Sequence, residues 1–244
     1  MLGKLLKYEF LATARPILPV YAGTLLLALF TRLLTIGGID NIDRLGATVG
    51  LLIFLYVLSL VAIFVLTFLF IIIRFYTNMF RDQAYLTHTL PVSVDTLIWS
   101  KLIAAFVWSF AGFLVFLLSG WIVVSGIIRE YFFLFDIWHE IFFLLNSIGF
   151  DLFLWVLSMI ASTLSGILMF YAALSIGQLS KSAKILIAVL VYLGMLVAVS
   201  IVSTMFLFVM WEAPLVFNLF FSTAQGIGWY FIVRAILRHK VNLE

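Results

Sequence analysis

GATVGLLIFLYVLSLVAIFVLTFLFIII, from Gly46 to Ile73, runs its whole length without a charged residue and is dense in Leu, Ile, Val and Phe. About 20 apolar residues carry a helix across a hydrocarbon core roughly 30 Å thick. Each central Leu, Ile, Phe or Val favours insertion by about 0.3–0.6 kcal/mol, so the stretch inserts with several kcal/mol to spare. Polar and apolar residues do not alternate along it, which selects a helix over a barrel strand. The rest of the chain agrees. Of 244 residues 66% are hydrophobic and only 10% charged, with a mean hydropathy of +1.27. A soluble domain holds about 45–50% apolar and about 25% charged residues, so a water-soluble globule is excluded. The absence of Cys excludes a disulfide scaffold, a thiolate zinc site and an iron–sulfur cluster.

Five further uncharged runs lie to either side. One falls between Arg15 and Arg32 and is short for a span, but Arg32 can snorkel outward while the helix continues toward Ile36. The others cover Leu102–Ile128, Leu152–Ile176, Ile185–Met210 and Leu215–Val233. The fold class expected is therefore an all-α polytopic membrane protein of six transmembrane helices, one domain over residues 1–244. Six spans put both termini on one side. That side holds Lys4, Lys7, Arg15, Arg74, Arg81, Lys101, Lys181, Lys184, Arg234, Arg238 and Lys240, 11 of the 14 basic residues, against Arg32, Arg44 and Arg129 opposite. Positive charge is retained in the cytoplasm, so both termini are expected there.

Between the spans three stretches are amphipathic. In residues 1–15, Leu2, Leu5, Leu6 and Phe10 fall near helical spacing, with Lys4, Lys7 and Glu9 for a wet face. This predicts a helix lying on the cytoplasmic leaflet, where lysines meet anionic lipid. Pro16 and Pro19 suit a break between it and the first span. In the link 74–101, Tyr76, Met79, Phe80, Gln83, Leu86 and Leu90 recur at three and four before Pro91, which predicts a short helix carrying Arg81, Asp82 and Tyr85. Ser93 or Asp95 can cap the span that follows. Held between two membrane helices, such a helix is a lever on both. In the extracellular segment 129–150, Asp136, His139 and Glu140 share one face. They make a poor metal motif, since Phe143 stands where H-E-x-x-H needs its second His, and a solvated face is the expectation.

No charge is expected near the middle of a span, which argues against an ion-coupled carrier. No G-x-S-x-G, paired carboxylate or G-x-x-x-x-G-K-[ST] occurs at a position that could work, so the chain is expected to be neither an enzyme nor an ATPase. The spans do carry small and hydroxylated residues. Ser158, Ser162 and Gly166 with Ser165 nearby, Gly194 with Ala198, and Gly46 with Gly50 read as packing faces. Ser158, Ser162 and Ser165, with Glu212 at a span mouth, are the candidates for a substrate path.

The run Asp82-x-x-Tyr85-Leu86-x-x-Thr89-Leu90-Pro91-Val92-Ser93, followed by Leu97-Ile98-x-Ser100-Lys101, resembles the link between the second and third helices of bacterial type-2 ABC exporter permeases. Leu5-x-Lys7-Tyr8-Glu9-Phe10 is similar to the start of that family. The resemblance implies a transmembrane subunit of the bacterial cell membrane, paired with a second permease copy or homologue and with separate ABC ATPase subunits. ATP and magnesium would sit on those partners, with no cofactor in this chain and no nucleic acid involved. Arg81, Asp82, Tyr85, Leu86, Thr89, Leu90 and Pro91 would form or flank the coupling helix that docks on the ATPase. Gln178 to Ala183 would make a smaller contact. The cargo expected is a hydrophobic peptide or a lipid. The competing expectation is a ligand-binding, immunity or sensor subunit of a complex that does not export.

Overall fold

A computed structural model describes residues 2–35, 46–80, 92–127, 134–180, 182–209 and 213–239. Its elements are α1 (Leu2–Thr35), α2 (Ala47–Phe80), α3 (Val94–Ile127), α4 (Leu134–Gly177), α5 (Lys184–Val209) and α6 (Pro214–His239). All six are long and apolar enough to cross a membrane, and no strand occurs among the described residues. The chain is an all-α polytopic membrane protein. Its surface is built for lipid: Leu51, Phe54, Leu58, Leu186, Leu190, Val197 and Ile201 all face outward. In water so much exposed apolar surface would drive association.

Three helix boundaries differ from the expectation. First, α1 does not break at Pro16 and Pro19; both lie inside one 34-residue helix. Glu9, Thr13, Ile17, Tyr21, Thr24, Ala28 and Thr31 form one buried stripe at helical spacing that runs straight past the prolines. A break there would cut that stripe in two. The missing proline N–H groups free only the carbonyls of Ala12 and Arg15, a loss that membrane helices tolerate where packing holds them. Glu9 lies on the buried stripe and not on the wet face.

Second, α2 continues to Phe80, so Tyr76, Met79 and Phe80 finish a span instead of starting a link helix. The next helix begins at Val94, eight residues before the uncharged run does. Ser93 is its cap: the Ser93 hydroxyl accepts the Thr96 N–H at 3.3 Å. Asp95 and Lys101 are thereby drawn into α3, because Asp95 is paired and Lys101 is buried. Third, the segment 134–150 is continuous with the span behind it, giving a 44-residue α4. The side chains of Asp136, His139 and Glu140 lie outside the described residues, as do Arg81 to Pro91.

The chain divides into two compact units. One comprises Tyr8–Ile71 and Val107–Asn146. Ile17, Tyr21 and Ile63 form one core cluster in it, with Trp108, Ala111 and Val115 against them, and Ala28, Tyr56 and Val123 form another. Hydroxyls stitch these helices together. Tyr21 donates to the Trp108 carbonyl at 2.8 Å and its oxygen lies 3.1 Å from the Thr67 hydroxyl. Trp108 Nε1 donates to the Thr13 hydroxyl at 2.7 Å, and Tyr56 to Ser119 at 3.2 Å. Gly112 makes the first of these contacts feasible, since a Cβ there would sit 2.8 Å from the Tyr21 oxygen.

The second unit comprises Met1–Lys7, Ile72–Phe106 and Ser147–Glu244. Phe75 stacks flat on Tyr171 with ring centroids 3.8 Å apart, and Tyr171 donates to the Lys101 carbonyl at 3.4 Å. The turn from α4 to α5 is tight. A Cβ on Gly177 would meet Ala188 Cβ at 2.6 Å and the Lys184 carbonyl at 2.7 Å, and Ala183 holds a φ of 52°. Of the six candidate spans α5 is the least buried.

Candidate functional site

Within the second unit, α3, α4 and α6 converge on a polar latch and an apolar groove. The latch begins with Asp95, the second residue of α3. Arg234 and Tyr230, one turn apart near the end of α6, both reach it. Arg234 Nε lies 2.7 Å from Oδ1, Arg234 Nη2 donates to Oδ2 at 3.0 Å, and the Tyr230 hydroxyl donates to Oδ1 at 2.6 Å. Trp99, one turn beyond Asp95, leans on the Tyr230 ring with centroids 6.0 Å apart. The charges also suit their helices, the carboxylate at an N-terminus and the guanidinium near a C-terminus. The guanidinium thus gives the carboxylate one hydrogen bond and a close charge contact, Nε itself making no hydrogen bond. The start of α3 and the end of α6 are thereby linked.

Above the latch lies a groove of about 420 Å³. Trp99 and Leu102 of α3, Leu164, Ser165 and Leu168 of α4, and Ser222, Gly226, Ile227 and Tyr230 of α6 line it. A volume of this order holds a small apolar ligand. Its floor is a close approach of two helices: a Cβ on Gly226 would touch Ser165 at 3.6 Å. One turn further, the Ser162 and Ser222 hydroxyls lie 2.9 Å apart, and Ser222 donates to Asn218 Oδ1 at 3.0 Å.

Of the residues proposed for a substrate path, Ser165 lines this groove and Ser162 is bonded to its wall. Ser158 is buried but bonds back to the Trp155 carbonyl on its own helix, and so is not part of it. Glu212, and the coupling residues Arg81, Asp82, Tyr85, Leu86, Thr89, Leu90 and Pro91, lie outside the described residues. No group of three metal-binding side chains occurs among the described residues. A Cβ added at Gly50, Gly166 or Gly194 would meet nothing within 4 Å, but Ser162, on the stripe of Gly166, does meet Ser222 of α6. The tight approaches fall at Gly112 and Gly177, and Gly226 meets Ser165 at ordinary contact distance. Gly177 and Gly226 follow Ala173 and Ser222 at small-x-x-x-small spacing, whereas Gly112 has no small residue four positions away. Sequence reasoning also missed the latch. Its only signal was an acid at the start of one span and a Tyr–Arg pair at i, i+4 near the end of another, on the expected cytoplasmic side.

No protein-family model, curated protein or solved structure matches this chain.

Proposed function

We propose that the chain is the transmembrane subunit of an ATP-driven ABC-type exporter in a bacterial cell membrane, with both termini in the cytoplasm. It works with a second permease, identical or related, and with separate ATPase subunits that bind ATP and magnesium. The cargo is apolar, a hydrophobic peptide or a lipid. On this reading Arg81, Asp82, Tyr85, Leu86, Thr89, Leu90 and Pro91 contact the ATPase. Nucleotide binds the closed ATPase pair more tightly than the open one, and that difference shifts the permease population.

The observation that carries the reading is the grip of Arg234 and Tyr230 on Asp95. Asp95 follows four residues after Pro91, so a push on the coupling segment reaches α3 at once and α6 through the ion pair. Both helices wall the groove, so the same push reshapes it. Purification in mild detergent tests this. An ATP-hydrolysing subunit is expected to copurify, and replacing Asp82 and Tyr85 with Ala is expected to lower export and weaken that association. Unchanged export and association in the double variant would contradict it. A stable ATPase complex that moves nothing outward would favour a sensor or immunity subunit.

A further inference from the structure

We infer that the groove between α3, α4 and α6 is a binding site for one acyl chain of an anionic phospholipid, whose headgroup is held at Arg238 and Arg234. The groove opens outward among lipid-facing side chains: Trp99, Ile227 and Phe231 are all exposed at its rim. Its lining is almost wholly apolar, and three of its hydroxyls are turned to neighbours, Ser222 to Asn218, Thr223 to the Leu219 carbonyl and Tyr230 to Asp95. Along α6 it extends from Ser222 to Phe231. At 1.5 Å per residue that is about 14 Å, close to half of a hydrocarbon core of about 30 Å. One leaflet's chain is the occupant of that depth.

Charge selects the headgroup. Beyond the groove, α6 continues through Arg234 to Arg238, one turn apart, and Arg238 is exposed. Arg234 donates Nη2 to Asp95 Oδ2 and keeps Nε beside Oδ1 without a hydrogen bond, and a guanidinium has five N–H donors, so Nη1 remains for a phosphate. Asp95 cancels one positive charge and Arg238 supplies another, so the rim carries a net positive charge. A lipid with a net negative headgroup fits it better than a zwitterion of equal chain length. The site is independent of the export reading, because it needs neither ATPase nor cargo movement.

The test uses the full chain, purified and delipidated in detergent, titrated with phosphatidylglycerol and phosphatidylcholine of the same acyl chains. Bound lipid is counted by native mass spectrometry and stability followed by thermal unfolding. One phosphatidylglycerol is expected to bind about fivefold or more tighter than phosphatidylcholine, the effect of one basic residue beside an anionic headgroup. Gly226→Leu, which fills the groove, is expected to abolish retention of either lipid. Ile227→Trp, at the exposed rim, is expected to do the same without disturbing packing. Arg238→Gln is expected to leave chain binding intact and bring the two affinities together. Equal affinity of the two lipids for the unaltered protein, or retention unchanged in both Gly226→Leu and Ile227→Trp, would overturn the inference.

Discussion

Asp95 shows how much one residue can decide. An exposed ion pair contributes about 0–1 kcal/mol and a buried one costs about 3–5 kcal/mol when a partner is removed. The Asp95 and Arg234 side chains are 28% and 31% exposed, which places this pair between those limits. Asp95→Asn is expected to destabilise the protein by about 1–2 kcal/mol. In a double-mutant cycle with Arg234→Gln the second change should cost less than it does alone, with coupling of about 1 kcal/mol. Thermal unfolding of the four variants measures it; additive losses would mean that the two side chains do not act together. Gly112 is the counterpart in the other unit. Gly112→Ala is expected to push the Tyr21 hydroxyl off the Trp108 carbonyl and to cost about 1–3 kcal/mol, the usual range for overpacking. Tyr21→Phe, which removes the hydroxyl's contacts to the Trp108 carbonyl and Thr67 without overpacking, should cost about 1–2 kcal/mol. The order of the two losses in a denaturation series checks the account. Beforehand Asp95 was legible only as a possible helix cap, and Gly112 not at all. Asp95 finds its partner 139 positions away, and Gly112 is required by a tyrosine on another helix. No local window contains such information.

At the scale of the helix, the number of spans was legible and their ends were not. Six uncharged runs gave six helices because the bilayer core tolerates little else. Ends depend on which charges find partners, so α3 starts at Val94 and carries Asp95 and Lys101 within it. Prolines mislead for a related reason. The buried stripe from Glu9 to Thr31 outweighs the hydrogen bonds lost at Pro16 and Pro19. Replacing both prolines with Ala is expected to leave helix content unchanged by circular dichroism, where a real break would close and raise it. The turn into α5 supports a further test. Ala183 sits at a φ of 52°, a conformation that costs an L-residue about 1–2 kcal/mol and glycine little. Ala183→Gly is therefore expected to raise stability by about 1 kcal/mol, seen as a higher unfolding midpoint. Gly177→Ala, against Ala188 on the other side of the same turn, is expected to lower it.

For the molecule as a whole, architecture and chemistry were legible to different degrees. Composition, with long uncharged runs that do not alternate polar and apolar residues, sufficed for an all-α membrane protein. The groove was half legible. Ser162 and Ser165 pointed to the right face of α4, but Trp99, Tyr230 and Gly226 complete it from helices that a linear pattern cannot bring together. The proposed motion rests on one topological expectation, that the segment joining α2 to α3 faces the cytoplasm. The 11 to 3 distribution of basic residues predicts it, and the natural absence of Cys makes it directly measurable. Asp82→Cys would be the only thiol in the chain. A membrane-impermeant maleimide is expected to leave it unmodified in intact cells and to label it fully once the membrane is opened. Labelling of Cys introduced at position 82 in intact cells would place the segment outside, beyond the reach of any cytoplasmic ATPase, and contradict the account.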